Sequence, residues 1–96
     1  MSEVKIEKLE KEKIKQLGIP ETPENTDDWS VWECDPSNFD WEYDDKEICY
    51  LYEGEVTVKT PSGETKIQAG DLVTFPKGLK CNWNVQKKVR KVYKFE

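Results

Sequence analysis

Two stretches decide how this sequence folds: Glu47-Ile48-Cys49-Tyr50-Leu51-Tyr52-Glu53-Gly54 and Gly70-Asp71-Leu72-Val73-Thr74-Phe75-Pro76-Lys77-Gly78. The first opens on a glutamate, runs through six residues of which five are apolar, aromatic or a thiol and the last is acidic, and closes on a glycine that turns the chain back. In the second, Gly70-Asp71 turns into a strand, Pro76 ends its ladder because it carries no backbone N–H, and Gly78 allows the reversal that follows. Side chains alternate along a strand, so Glu47, Cys49 and Leu51 share one face and Ile48, Tyr50 and Tyr52 the other.

Around these stretches the texture is the same. Trp29 to Glu33, Phe39 to Tyr43, Glu47 to Thr60, Thr65 to Gly70, Asp71 to Pro76, Lys80 to Val85 and Val89 to Phe95 are short and rich in aromatic and β-branched residues. Asp35-Pro36-Ser37-Asn38, Asp44-Asp45-Lys46, Pro61-Ser62-Gly63 and Pro76-Lys77-Gly78 punctuate them with turn formers. The tightest reversal is the hairpin from Thr60 to Glu64, with Val56 and Val58 before it, Ile67 after it and Gly63 in the turn. Closely spaced strands without βαβ units predict an all-β sandwich or barrel over residues 29–95. Ahead of it, Leu9, Ile14 and Leu17 fall on one stripe and predict a short N-terminal helix over 8–17, stopped by Gly18 and Pro20. A polar, proline-containing loop over 18–28 joins the two, and 96 residues suffice for one domain, 1–96.

Composition narrows the chemistry. The chain contains no histidine, which removes imidazole bases, Ser-His-Asp triads and histidine-ligated metals. A net charge of −5 and the lack of a basic stripe argue against a nucleic-acid partner. No apolar run has the length of a membrane span, and the opening Met1 to Lys13 is too polar for a targeting segment. Cys34, Cys49 and Cys81 are odd in number and widely spaced, which fits reduced thiols in a cytoplasmic protein.

In order and separation, the two stretches resemble the paired signature motifs of the cupin superfamily. The resemblance is narrower still to small single-domain cupins grouped with ethanolamine-utilisation and ureidoglycine-aminohydrolase cupin domains, carried by Trp29 to Trp32, Phe39 to Glu47, Tyr50 to Val56 and Gly70 to Trp83. It implies a double-stranded β-helix, a jelly-roll barrel of six or more strands that commonly dimerises. The metal-binding pattern of such proteins places two histidines, a glutamate and a third histidine on positions held here by Trp41, Tyr43, Glu47 and Cys81. Only the glutamate is kept.

The resemblance turns Glu47 into the barrel, and parity adds Cys49 beside it, Trp83 beside Cys81, and Trp41 beside Tyr43. These six residues are the expected ligand-binding set: an aromatic mouth with a single carboxylate, suited to a compact, cationic or heteroaromatic molecule. No cofactor is expected. In the alternative, an enzyme uses Glu47 with Cys81 or Tyr43 as acid and base, or a divalent metal sits on Glu47 and Cys81 with fewer ligands than a zinc site ordinarily has. Lys87, Lys88, Arg90 and Lys91 read as a solvated hairpin and edge. Tyr50 and Tyr52 form an aromatic stripe that either marks a dimer interface or packs on the N-terminal helix.

Overall fold

A computed structural model describes residues 4–20 and 29–95. It contains seven strands, β1 (Lys5–Lys8), β2 (Ser30–Cys34), β3 (Ser37–Glu42), β4 (Glu47–Thr60), β5 (Gly63–Gln68), β6 (Asp71–Phe75) and β7 (Lys80–Phe95), and one helix, α1 (Lys11–Gln16). All strand pairs are antiparallel.

Two long strands organise the molecule. β4 and β7 pair along most of their length, and each serves two layers. The first part of β4 pairs with β6 and its last part with β5, while the first part of β7 pairs with β3 and its last part with β2. One layer therefore runs β1-β6-β4-β7-β2 and the other β5-β4-β7-β3. Register shifts between Leu51 and Val56 mark where β4 crosses from one layer to the other, since irregular pairing lets a strand bend. This is the jelly roll that the two signature stretches predict.

The inward face of β4 carries Cys49, Leu51, Val56 and Val58, all fully buried. They pack with Ile67, Val73, Phe75, Trp83, Val85 and Val89 into one core between the layers. The hairpin closes as expected, with Thr60 opposite Gly63.

The N-terminal region differs from expectation. Residues 5–8 form β1, which pairs with the free edge of β6, and the helix is shortened to Lys11–Gln16. Backbone pairing on an open sheet edge outweighs the helical preference of a lysine- and glutamate-rich segment too short to be a stable helix alone. The stop signal acts as predicted. Gly18 has φ 73°, its N–H reaches the Lys15 carbonyl and the Ile19 N–H reaches the Ile14 carbonyl, the paired bonds of a Schellman cap. Most of the loop expected over 18–28 lies outside the described residues.

Ile14 and Ile19 then cover the outer face of β4. With Trp29, Val92 and Leu72 they enclose Tyr50 and Tyr52 in a second small cluster, and the Tyr52 hydroxyl donates to the Pro20 carbonyl. The tyrosine stripe therefore packs on the chain's own N-terminal segment.

A second correction concerns β7. The lysine-rich segment expected to be a hairpin and edge runs straight through one central strand, held by β4 on one side and by β3 and β2 on the other. Lys87 and Lys88 stay exposed, whereas Lys91 is buried. Its position alternates with Val89 and Tyr93 on the inward face, so parity carries the ammonium into the barrel.

Candidate functional site

An aromatic cavity of about 170 Å³ opens at one end of the barrel. Strands β3 and β7 build one wall, because their register sets Phe39 opposite Trp83 and Trp41 opposite Cys81. Phe39 stacks on Trp83 at 6.2 Å between ring centroids, and Trp32 of β2 meets Trp83 edge-on at 5.8 Å. The end of β7 adds Tyr93 and Phe95, and Tyr43 borders the cavity from the turn after β3.

The Pro-x-Gly turn fixes Tyr43. The Gly78 N–H donates to the Tyr43 carbonyl at 2.7 Å, and the Tyr43 N–H donates to the Leu79 carbonyl at 2.9 Å. Its ring then stacks on Phe75 at 4.6 Å. Burial, then the nearby Glu47 carboxylate, pushes its hydroxyl well above the ordinary tyrosine range, so it stays protonated.

Among the described residues, two charged side chains reach this cavity, and they meet each other. Lys91 Nζ donates to Glu47 Oε2 at 3.1 Å, with both residues 5% exposed. The ammonium also lies 4.8 Å from the Trp83 ring centroid, 4.9 Å from Trp32 and 5.4 Å from Tyr93, a range in which ring faces attract a cation. The sequence places Glu47 here, and its partner in the fold is a lysine. Trp32, Phe39, Lys91, Tyr93 and Phe95 were not among the expected site residues. The signal for Lys91 was its inward parity with Val89 and Tyr93, hidden by the cluster of lysines around it.

Of the six expected residues, the structure brings Trp41, Tyr43, Glu47 and Trp83 to the cavity. Trp41 stands at the rim, 52% exposed, as does Phe95 at 56%. Cys49 is fully buried in the core behind the cavity, and Cys81 lies beside a separate shallow groove with Lys59, Lys80 and Asn82. Burial raises the Cys49 thiol to about 12 and, as the largest of several influences, the Cys81 thiol to about 11. Neither is poised as a thiolate nucleophile at neutral pH.

The residues present do not fit the metal that histidine-bearing cupins hold. Trp41 and Tyr43 offer no ligand of the usual kind, Cys81 borders a separate groove, and Glu47 faces an ammonium that would repel a divalent cation. Among the described residues no three Cys, Asp or Glu side chains are grouped as a metal site would require.

A jelly-roll barrel of this size, with its polar residues gathered under an aromatic mouth, is a cupin. The chain belongs to the family of EutQ-like cupin domains, whose family model matches residues 21–93. Among solved structures it is similar to a DUF861-family protein from Thermotoga maritima, with 49% identity over 98% of this chain and 100% of that one and a TM-score of 0.84. It is also similar to the EutQ protein of Clostridium difficile, with 26% identity, a TM-score of 0.62, and coverage of 68% of this chain and 52% of that one. The chain thus spans about half the length of that protein. A putative ethanolamine utilisation protein Q from Salmonella typhimurium shares the fold at 23% identity, over 94% of this chain and 66% of that one, with a TM-score of 0.61. No curated protein matches at a significant level.

Proposed function

We propose that this cupin is a binding module for a small organic molecule that enters the aromatic mouth and meets Glu47 and Lys91. The observation that carries this reading is the buried ion pair bordering the cavity, 3.1 Å between Lys91 Nζ and Glu47 Oε2. Taking two charges out of water is unfavourable unless their geometry is good, and hydrophobic residues of the same volume would hold a barrel together as well or better. Apolar walls with a few convergent polar groups are the usual construction of a small-molecule site. Three free cysteines support a reducing, cytoplasmic setting, and the net charge of −5 supports a partner other than nucleic acid.

The test is a thermal-shift screen of single-ring organic compounds, repeated on Trp41→Ala and Glu47→Gln. A ligand of this cavity raises the melting temperature in proportion to occupancy and loses that effect in both variants. Hits that stabilise all three proteins alike bind elsewhere and remove the reading.

A second reading makes the same pair an acid and base. Glu47 and Lys91 are one hydrogen bond apart inside a sheltered cavity, a distance over which a proton is exchanged. Lys91, rather than Cys81 or Tyr43, is then the partner of Glu47. Chemical conversion of a bound hit, followed by mass spectrometry and abolished in Glu47→Gln, is the result this reading requires.

A further inference from the structure

Among the described residues the charges that border the cavity cancel, and this restricts what fits inside it. An ammonium has three N–H donors and a carboxylate two acceptor oxygens. Lys91 spends one donor on Glu47 Oε2, and among the described residues neither group makes a second hydrogen bond to the protein. The Trp83 indole N–H is directed at the Tyr43 hydroxyl and the Cys81 thiol without a well-aligned hydrogen bond, so the donors open to a guest are those of Lys91. Donors and an acceptor thus stand side by side, with no third charge among the described lining residues to balance.

We infer that the ligand is a neutral planar molecule presenting a hydrogen-bond acceptor next to a donor, as a primary aromatic amide or a lactam does; this rests on the binding reading above. Its carbonyl oxygen accepts from Lys91, its N–H donates to Glu47, and its ring lies under the exposed rim residues Trp41 and Phe95. An organic anion would meet Lys91 favourably but place a second negative charge beside Glu47, and burial in apolar surroundings amplifies that repulsion. An organic cation faces the reverse problem. The position where Trp32, Trp83 and Tyr93 would attract it is already filled by Lys91, at 4.9, 4.8 and 5.4 Å. The volume of about 170 Å³ suits one ring, since an apolar protein cavity of about 150 Å³ holds benzene.

The experiment compares three molecules of one shape and different charge. Benzamide, benzoate and benzamidinium are titrated into the full chain at pH 7 by calorimetry, with 2-pyridone as a lactam control. Benzamide or 2-pyridone is expected to bind at least about tenfold more tightly than either ion, the difference that one unbalanced hydrogen bond or charge makes. Benzoate or benzamidinium binding as tightly as the amide overturns the inference and leaves the binding reading standing. Failure of every compound to bind removes the reading itself. In Glu47→Gln the order shifts by about tenfold toward benzoate, and in Lys91→Met toward benzamidinium. Unchanged order in these variants, shown folded by circular dichroism, also overturns the inference; if they do not fold, the wild-type ranking decides alone.

Discussion

Lys91 reaches Glu47 across two adjacent strands whose register does not set them opposite each other. Leu51 faces Lys91 and Phe95 faces Glu47, so two long side chains close the offset to 3.1 Å inside the barrel. Such a pair is sensitive to the loss of one member. Lys91→Met leaves Glu47 buried without its counter-charge and is expected to lower unfolding free energy by about 3–5 kcal/mol, as is Glu47→Leu. The double variant restores most of that loss, because two apolar side chains need no counter-charge. Urea denaturation of the four proteins at pH 7 measures this. A double variant as unstable as the sum of the singles would show that the two residues do not act as a pair.

The fold was legible because its signals are local and repeated. Parity put Glu47, Cys49 and Leu51 on one face, Gly63 marked the hairpin, and Gly18 marked the helix end; each acts through backbone geometry that a few neighbouring residues determine. What stayed hidden depends on distant partners. β1 has every residue exposed, so no alternation of apolar and polar burial separates it from a helix; it exists because β6 offers an edge. Lys91 sits among lysines that are solvated, and only the alternation of Val89, Lys91 and Tyr93 shows that it points inward. Cys81 occupies the position expected for a ligand, yet where the cavity lies relative to it depends on the far ends of β2 and β7.

Gly54 sits where β4 bends between layers. A Cβ there would lie 2.7 Å from the Lys88 carbonyl oxygen and 2.8 Å from Val89 Cα, on a backbone with φ of +115°. The obstructing atoms are the backbone of the adjacent strand, which cannot swing aside as a side chain can. Gly54→Ala is expected to lower stability by more than about 2 kcal/mol. Gly63→Ala, with φ of +137° but nothing within 4 Å, should cost only the backbone strain, about 1 kcal/mol. Equal melting temperatures for the two variants would contradict this account.

Asp71 ties the signature turn to the N-terminal strand. Its Oδ2 accepts the Gln68 backbone N–H at 2.9 Å, and its Oδ1 lies 3.1 Å from Lys8 Nζ as an ion pair without aligned hydrogen-bond geometry. The carboxylate is buried while the Lys8 side chain is 65% exposed, so the backbone bond is the stronger tie. Asp71→Ala should destabilise by about 1–3 kcal/mol, through the unsatisfied Gln68 N–H. Lys8→Ala should change stability by less than about 1 kcal/mol. Chemical denaturation separates the two, and hydrogen exchange should show Gln68 losing protection only in the aspartate variant.

Cys49 is expected to make the fold sensitive to alkaline pH. Burial raises its thiol from the ordinary 9.0 to about 12, so the folded state keeps a proton that the unfolded chain releases. The contribution of this one group is expected to be whole below about pH 9 and to decline as pH rises toward 12, by at most about 1.4 kcal/mol per unit. Tyr43 and Cys81, both raised by burial, add losses of the same sign. Cys49→Val removes the thiol at nearly constant volume and should flatten the dependence of the urea midpoint on pH between 8 and about 11 without abolishing it. Parallel profiles for the two proteins would mean that the thiol does not govern this decline. Alkylation supplies an independent check, since a thiol both buried and protonated reacts with iodoacetamide only when the barrel opens, so labelling of Cys49 should follow unfolding rather than the ordinary thiol titration.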